Sequence, residues 1–284
     1  MGLKMIASDH EFASYPEDLY KPATVAPGIP TLADIGDREL AYFRSHGYLR
    51  VLEAFNEDRI ANAIEGILAV LGKPGEVDVQ YEAGDEIGLH ELSPHERQDR
   101  VRRLMGFVSA EERLGALAGD ELLVGVLYRL IGSDSLTMFQ DMALLKPPGR
   151  GREKPWHQDL AFFQLETATQ VVGVWIALDD ATVENGCMHL IPGSHREGPR
   201  PHVRRRDFQI CDIDVPRPEI TAAPLPRGGA LLFHGLLLHG TPANRTPDAR
   251  RRAVQLHYAP SDAVRISLEE RLAVFGPEGA DARC

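Results

Sequence analysis

Cysteine is scarce in this sequence, and the only examples are Cys187, Cys211 and Cys284. Their number is odd, they lie far apart, and no pair has the short spacing of a zinc knuckle. The sequence therefore indicates neither a disulfide framework nor a cysteine-based zinc site. So few cysteines are typical of a protein from a reducing compartment, and we expect a cytoplasmic location.

The sequence also lacks a long uninterrupted apolar segment. No run approaches the roughly 20 residues that a membrane-spanning helix requires. Charged residues interrupt residues 1–20, so this segment has none of the apolar region that is typical of a secretory signal. We therefore expect no association with a membrane.

Positive charge is in short supply as well. The chain has 31 Lys and Arg residues against 42 Asp and Glu residues, which gives a net charge of −11. A protein with this balance is a poor candidate for following a phosphate backbone. The one dense basic cluster, at 204–206, is short and lies among polar residues, as is typical of a solvated loop. We expect no nucleic-acid partner, and the oligomeric state stays open.

The character of the sequence changes near residue 133. Before this point, capping residues and apolar periodicity predict helices that begin at Asp37, Asn56, Ser109 (with Glu112 in a capping box) and Asp120. After it, proline and glycine separate apolar runs of strand length, at 136–145, 170–178, 187–191, 230–238 and 253–258. Helices followed by many short strands predict an α+β fold, an antiparallel barrel or jelly roll backed by N-terminal helices.

The length and composition are compatible with one large domain or two small ones, and we expect a single domain over residues 1–284. Residues 1–30 contain four prolines and no periodic apolar pattern, which predicts an extended N-terminal arm. Residues 197–221 are polar and basic without a clear period. We interpret them as an insertion between strands and a candidate lid.

His157 and Asp159 are the first candidates for metal ligands. Side chains two residues apart point to the same face of a strand, so these two can reach one metal ion together. The same spacing also arises by chance in surface turns. A second histidine is needed, because two histidines and one carboxylate that leave open positions form the arrangement of non-haem iron(II) oxygenases.

The apolar segment 228–240 supplies two candidates for that second histidine. His234 falls at a predicted turn with Gly235, whereas His239 ends a buried apolar strand. A buried imidazole needs a polar partner, and a metal ion provides one. We therefore favour His239 over His234 as the third ligand.

Alternation with period two divides the segment 250–258 into two faces. One face carries Arg251, Ala253, Gln255 and His257, and the other carries Arg250, Arg252, Val254, Leu256 and Tyr258. An arginine that points into a barrel is costly unless it meets an anion, and its planar fork matches a carboxylate. Arg251 is thus a candidate partner for the distal carboxylate of a 2-oxo acid. A surface run of arginines is the alternative.

From about residue 107 to residue 258 the sequence resembles the phytanoyl-CoA dioxygenase family of iron(II)- and 2-oxoglutarate-dependent oxygenases. The matching blocks follow the family's order: KPP at 146–148, HQDL at 157–160, NGC at 185–187, IPGSH at 191–195 and HGT at 239–241. The resemblance implies a double-stranded β-helix, which is a jelly-roll barrel. It also implies that His157, Asp159 and His239 bind iron and that Arg251 pairs with 2-oxoglutarate.

Three further residues match positions near the co-substrate in this family. Met142 and Trp175 match positions that line the co-substrate pocket, although generic packing is an alternative for each. Arg103 falls where the family often carries a lysine near 2-oxoglutarate. The resemblance implies no catalytic side chain beyond the metal ligands.

The activity that the resemblance implies is oxidation of a small-molecule C–H bond with O2, releasing succinate and CO2. Halogenating relatives replace the carboxylate ligand with a small residue, so Asp159 favours hydroxylation. Desaturation or ring closure would use the same iron site. A cupin-like metal-binding protein or sensor without turnover, and a zinc hydrolase, are alternatives from other classes. The substrate is not indicated.

Overall fold

The computed structural model of the protein describes residues 15–73, 75, 77–82 and 91–282. Residues 1–14 of the predicted arm and Cys284 lie outside these ranges. The helices in this part of the chain are α1 (Asp37–His46), α2 (Glu57–Leu71), α3 (Pro94–Arg97), α4 (Glu112–Ala118), α5 (Glu121–Ile131) and α6 (Leu268–Phe275). None of these helices has the length and apolarity that crossing a bilayer would require.

Two large sheets and a short hairpin make up the β structure. The larger sheet contains, in spatial order, β2 (Gly28–Thr31), β3 (Tyr48–Glu53), β13 (Ala230–His234), β8 (Val172–Ala177), β15 (Arg251–Pro260), β6 (Leu136–Lys146), β5 (Val101–Met105) and β4 (Asp78–Tyr81). The smaller sheet contains β1 (Thr24–Val25), β12 (Thr221–Ala223), β9 (Met188–Leu190), β14 (His239–Thr241) and β7 (Lys154–His157). The hairpin is β10 (Val203–Arg204) with β11 (Phe208–Gln209).

The two large sheets face each other across an apolar layer. Trp175 and Phe233 of the larger sheet pack in this layer with Met188 and Leu190 of the smaller sheet. Pairing is antiparallel except where β1 joins β12 and β2 joins β3. The predicted α+β class and jelly-roll architecture are confirmed, although the two sheets do not close into a barrel within the residues described.

The helices α1, α2, α4 and α5 cover the outer face of the larger sheet. Apolar residues of α2 and α5, such as Ile67 and Leu127, form one core with Val254 and Leu256 on the outer face of β15. The helix that follows Asn56 begins where the sequence predicts, because the Asn56 side chain accepts a hydrogen bond from the Arg59 amide at 3.0 Å. Burial of apolar residues on one side of these four helices holds this layer against the sheet.

The predicted start of one helix at Ser109 is wrong. The helix α4 begins at Glu112 and is capped by Glu111, whose carboxylate accepts from the Arg113 amide at 3.3 Å. Ser109 instead lies in a turn in which the amides of residues 110 and 111 bond to the Phe107 carbonyl. The start at Asp120 is confirmed, since its carboxylate accepts from the amides of residues 122 and 123.

The predicted arm contributes strands to both large sheets, and the predicted insertion packs against the smaller one. Residues 24–25 extend it by pairing with β12, and residues 28–31 pair with β3 of the larger sheet. Within 197–221, the buried side chains of Phe208 and Ile210 pack inward, and the Ile210 amide donates to the Trp156 carbonyl at 2.8 Å. That residues 1–30 act as an arm and residues 197–221 act as a lid stays a prediction.

Candidate metal centre

Three buried side chains converge between the sheets, at the end of β7 and the start of β14. His157 and His239 are paired in register across these strands. One ligand atom from each histidine and one from Asp159 all lie within 4.8 Å of one another. The three residues are 3%, 2% and 0% exposed, respectively. The structure therefore brings together the three residues that the sequence analysis selected as metal ligands.

The local backbone differs in one respect from the sequence analysis, which treated His157 and Asp159 as parts of one strand. The strand β7 ends at His157, and Asp159 opens a short 3-10 turn over Asp159–Phe162. Gln158 between them remains extended, with φ −114° and ψ 130°. The two side chains therefore still emerge on the same side, as strand alternation requires.

Hydrogen bonds to the backbone set the tautomer of both histidines. Nδ1 of His157 lies 2.7 Å from the Pro155 carbonyl oxygen, and Nδ1 of His239 lies 2.9 Å from the Leu237 carbonyl oxygen. A carbonyl only accepts, so each Nδ1 carries the proton and each Nε2 keeps a free lone pair. Burial lowers the pKa of His239 to about 3, which keeps this imidazole neutral at neutral pH.

The two oxygens of the Asp159 carboxylate have different neighbours. Its Oδ1 lies 3.2 Å from Nε2 of His157 and 3.6 Å from Nε2 of His239. Its Oδ2 accepts from His257 Nε2 at 2.8 Å and from Gln255 Nε2 at 3.1 Å. Burial alone raises the pKa of Asp159, but His239, His257 and the hydrogen bonds hold it well below its usual value. Asp159 is therefore ionised, with Oδ1 facing the two imidazoles.

A buried lysine and a glycine fix the strand that carries His239. Lys146 donates from Nζ to the Thr241 hydroxyl at 2.7 Å, to the Thr241 carbonyl at 3.2 Å and to the Pro242 carbonyl. At Gly240, a Cβ atom would lie only 3.1 Å from backbone atoms of residues 154 and 156. A side chain at this position would therefore crowd the β7 backbone, which must shift slightly to admit it.

Arg251 is a buried cation without an anion among the residues described. It is 1% exposed, its Nε has no hydrogen-bond partner among the described residues, and its Nη1 donates to the Leu144 carbonyl at a long distance of 3.5 Å. Burial lowers the pKa of Arg251 to about 10, which still leaves it charged at neutral pH. Its neighbours differ, because Arg250 pairs with Asp99 and Arg252 pairs with Asp179.

Comparison with known proteins identifies the family. The family model for phytanoyl-CoA dioxygenase matches residues 43–253. The chain belongs to the phytanoyl-CoA dioxygenase family. Among named relatives, the peroxisomal phytanoyl-CoA dioxygenase of Rattus norvegicus is 28% identical over 242 residues, covering 80% of this chain and 69% of that protein.

Other members of the phytanoyl-CoA dioxygenase family match over shorter stretches. The phytanoyl-CoA dioxygenase domain-containing protein 1 of Danio rerio is 38% identical over 133 residues, or 44% of this chain and 45% of that protein. A probable phytanoyl-CoA dioxygenase of Caenorhabditis elegans is 34% identical over 156 residues, or 50% of this chain and 49% of that protein. The aligned part thus spans about half the length of these two relatives.

Solved structures share the fold of this family member. The 2-oxoglutarate and 5-hydroxyectoine complex of EctD from S. alaskensis superposes with a TM-score of 0.66 at 23% identity, covering 88% of this chain and 82% of that chain. SnoK, a non-heme alpha ketoglutarate dependent carbocyclase from nogalamycin biosynthesis, gives a TM-score of 0.65 at 24% identity, covering 84% of this chain and 90% of that chain.

The three residues that match the family's co-substrate positions lie on the inner face of the larger sheet. Gln255 is paired with Met142 on β6 and with Trp175 on β8. The guanidinium of Arg251 lies 5.2 Å from the Trp175 ring, whose Nε1 is buried and has no partner in the described part of the chain. Arg103 is paired with Leu144 on β6, which in turn pairs with Ala253. Of these three residues, Trp175 is the one that contacts Arg251.

His234, the other candidate for the third ligand, has its contacts away from the metal centre. His234 accepts from the Leu236 amide at 3.0 Å and packs against His195, with ring centroids 4.9 Å apart. His257, which alternation places on the same strand face as Arg251, donates a hydrogen bond to Asp159. Gln255 received no role from sequence. Its place on the same strand face as Arg251 is the signal that could have found it.

The hydrogen bonds to Oδ2 lead to a first prediction. Replacing His257 by phenylalanine removes one donor from Asp159, while the surrounding rings of Phe139 and Phe163 accommodate another ring. We expect iron(II) affinity to fall about 10- to 100-fold, the usual effect of losing a partner that orients a ligand. His257→Gln, which keeps a donor, should lose less. Competition with a chelator measures both, and equal affinities would contradict this role for His257.

A second prediction concerns a neutral histidine outside the metal centre. His202 accepts from the Gln158 amide at 3.1 Å, and its Nδ1 faces the Arg200 carbonyl at 2.8 Å. Burial lowers the pKa of His202 to about 3, whereas an unfolded histidine titrates near about 6.5. Below about pH 6.5 the unfolded chain binds a proton at this histidine, whereas the folded protein does not. The contribution of His202 to stability is therefore full above that pH and declines as the pH falls toward the folded pKa of about 3.

For His202 this difference amounts to about 2 kcal/mol of unfolding free energy between pH 7 and pH 5. His202→Gln keeps a neutral acceptor that does not titrate. We expect this variant to be less stable than the unmodified protein at pH 7 but to lose less stability on acidification. Urea unfolding at the two pH values measures the difference, and parallel losses in both proteins would count against a neutral His202.

Proposed function

We propose that the protein is an iron(II)- and 2-oxoglutarate-dependent dioxygenase that hydroxylates a C–H bond of a small molecule, with release of succinate and CO2. Iron would be held by Nε2 of His157, Nε2 of His239 and the carboxylate of Asp159. The observation that carries this proposal is the convergence of two imidazole lone pairs and one carboxylate oxygen in a buried space. Three acceptors this close repel one another unless a cation lies between them.

The donor set favours iron over the alternatives of the sequence analysis. Imidazole nitrogen with carboxylate oxygen suits a divalent first-row metal, and two histidines with one carboxylate leave positions open for a co-substrate and O2. A zinc hydrolase or a metal-binding sensor could use the same three ligands. Neither explains why the fold buries the charged Arg251 on the strand face that carries Gln255 and His257, without a carboxylate partner in the described structure.

Arg251 would bind the distal carboxylate of 2-oxoglutarate. A buried guanidinium with a free Nε is costly by itself and is stabilised when a bidentate carboxylate arrives. Trp175 covers one side of the guanidinium, and Met142 and Arg103 lie on the same inner face. These three residues would line the co-substrate pocket, with Arg103 adding positive charge.

The bound iron, 2-oxoglutarate and O2 would supply the oxidising power for the C–H bond. The protein side chains orient these groups and exclude water from them. His257 and Gln255 hold Asp159 so that one oxygen stays directed at the histidines. The carbonyls of Pro155 and Leu237 keep both imidazoles in the tautomer that offers Nε2.

We further infer that the chain acts as one domain, with residues 1–30 as an arm and 197–221 as an insertion that serves as a lid. Gln158 lies between two proposed ligands and connects the metal centre with the insertion. Its side chain donates to the Gly198 carbonyl at 2.9 Å and accepts from the Arg200 amide at 2.8 Å. Cys187 and Cys211 are free thiols, in keeping with a reducing, cytoplasmic location.

Formation of succinate tests the proposed activity. Purified protein with iron(II), 2-oxoglutarate and O2 should release succinate even without its substrate, and a panel of small molecules and acyl-CoAs should raise the rate. The product mass then identifies the reaction: hydroxylation adds one oxygen atom, whereas desaturation or ring closure removes two hydrogens. A protein that binds iron yet forms no succinate with any compound would be a sensor, and zinc-dependent hydrolysis would indicate the other class.

A further inference from the structure

The last described part of the chain packs against the metal centre. Residues 264–282, here called the C-terminal segment, contain α6 and lie beyond residue 253, where the match to the family model ends. The buried side chain of Phe275 on α6 belongs to one apolar cluster with residues 160–163. The C-terminal segment therefore packs directly on the turn that opens with Asp159, one of the proposed iron ligands.

Arg271 on α6 is a buried cation between this segment and the turn. The side chain is 3% exposed, its Nη1 donates to the Ala161 carbonyl at 3.2 Å, and its Nη2 donates to the Gly279 carbonyl at 2.6 Å. In the described part of the chain its Nε has no hydrogen-bond partner, and no carboxylate pairs with the guanidinium. Arg271 thus joins two backbone carbonyls that lie far apart in sequence.

The carbonyl that Arg271 binds lies inside the turn of the metal centre. Ala161 follows Asp159 by two residues and precedes Phe162, whose ring packs edge-on against His157 with centroids 5.6 Å apart. A hydrogen bond from a charged donor is stronger than one between neutral groups. A buried charge without a counter-ion is costly, so an apolar side chain would be the cheaper way to fill this space. Packing alone therefore does not account for an arginine here, whereas a fixed position for the Ala161 carbonyl does.

The same helix also reaches the backbone on the other side of Asp159. The His202 amide donates to the Phe275 carbonyl at 2.6 Å, and Nε2 of His202 accepts from the Gln158 amide at 3.1 Å. The C-terminal segment is thus connected to residue 158 through His202 and to residue 161 through Arg271. Both connections end within two residues of Asp159, so the position of α6 and the direction of the Asp159 carboxylate depend on each other.

We propose that Arg271 is a positioning residue of the metal centre, which holds the turn in the place where the Asp159 carboxylate and the two histidines meet one metal ion. This inference rests on the proposed function, since it concerns the iron site of that same activity. Arg271 acts through the Ala161 carbonyl and not as a ligand. Without it the turn keeps its bond from the Leu160 amide to the Gly235 carbonyl, at 2.9 Å, but loses its tie to α6.

Cobalt(II) tests this positioning role on the full chain without turnover. It is a divalent first-row ion like iron(II), and its visible absorption bands change with the arrangement of its ligands. In Arg271→Met we expect the cobalt(II) affinity to fall about 10-fold, the smaller of the effects that are usual when a partner that orients a ligand is lost. We also expect the visible bands at saturating cobalt(II) to shift. Competition with a chelator measures the affinity, and the absorption spectrum reports the ligand geometry.

Arg50→Met is the matched control. Arg50 also donates to two backbone carbonyls, those of Pro224 at 2.5 Å and Ala26 at 2.7 Å, and neither belongs to the turn of Asp159. We expect this variant to keep the cobalt(II) affinity and the visible bands of the unmodified protein. The proposal is overturned if Arg271→Met also keeps both, or if Arg50→Met changes them as much as Arg271→Met does.

Hydrogen exchange on the unmodified protein provides a second test, which decides the question if Arg271→Met does not fold. Exchange at short times reports local opening and not global unfolding. At such times cobalt(II) should slow amide exchange in residues 159–163 and also in α6, because Arg271 joins the two. The helix α5, which packs on the outer face of the larger sheet, should exchange at an unchanged rate. Unchanged exchange in α6, or equal slowing in α5, would speak against the proposal.

Failure of this proposal and failure of the proposed function give different results. If cobalt(II) responds to Arg271→Met as expected but the iron(II) protein forms no succinate, the role of Arg271 stands and the oxygenase activity is wrong. If succinate forms but Arg271→Met and Arg50→Met bind cobalt(II) alike, the activity stands and Arg271 serves the fold alone.

Discussion

Asp159→Ala is expected to abolish both iron(II) binding and 2-oxoglutarate decarboxylation. The variant removes the anionic ligand and leaves two neutral imidazoles, which hold a divalent ion far less tightly. Loss of a group that merely orients a ligand costs about 10- to 100-fold in metal affinity, so loss of the ligand itself should cost more than about 100-fold. Iron binding by competition with a chelator and succinate formation measure the two effects on the same protein.

Asp159→Ala should also change how iron(II) affects the melting temperature, because the side chain is buried. In the metal-free protein the carboxylate lies 3.2 Å and 3.6 Å from unprotonated Nε2 atoms, and it is fully buried. Its removal relieves repulsion between acceptors but leaves His257 and Gln255 without an acceptor. We therefore expect a modest change in the melting temperature of the metal-free variant and a loss of the stabilisation that iron(II) gives to the unmodified protein.

A matched control for this set is His234→Gln. His234 was the competing third ligand, lies in the same apolar segment as His239 and packs against His195 away from the metal centre. His234→Gln should keep iron binding and succinate formation, whereas His239→Gln and His157→Ala should lose both. The proposal for the metal centre would be rejected if His234→Gln lost iron and His239→Gln retained it.

Local sequence patterns were sufficient to predict several of these positions. The period-two alternation of 251–258 separates Arg251, Gln255 and His257 from the residues that pack on the helices, because alternation is a property of the strand itself. The spacing of His157 and Asp159 survives even though β7 ends between them, since Gln158 keeps an extended backbone. The choice of His239 over His234 agrees with the turn that carries the chain from the larger to the smaller sheet.

Contacts between distant segments could not be predicted in the same way. Nothing near Asp159 in sequence indicates that His257 and Gln255, nearly a hundred residues later, hold its second oxygen. The contact of Lys146 with Thr241 also depends on how the two sheets face each other. The predicted helix start at Ser109 was wrong for a related reason. The amides of residues 110 and 111, which would be free at a helix start, bond to the Phe107 carbonyl in a turn.

Arg251→Met is expected to raise the 2-oxoglutarate concentration needed for half-maximal succinate formation by at least about 100-fold. The variant removes the charge-assisted hydrogen bonds to the distal carboxylate, each worth about 1.5–3 kcal/mol, and keeps an apolar stem against the Trp175 ring. The rate at saturating 2-oxoglutarate should fall less, because the iron ligands are untouched. Rates over a range of 2-oxoglutarate concentrations separate the two effects.

The melting temperature of the ligand-free protein distinguishes this role from a structural one. Arg251 is buried without a carboxylate partner in the described structure, so its replacement by methionine removes an uncompensated charge and should keep or raise stability. Arg250→Met is the matched control, because that side chain pairs with Asp99 at the surface and should leave the 2-oxoglutarate requirement unchanged. A destabilised Arg251→Met protein with an unchanged 2-oxoglutarate requirement would mean that the guanidinium supports the fold and does not bind the co-substrate.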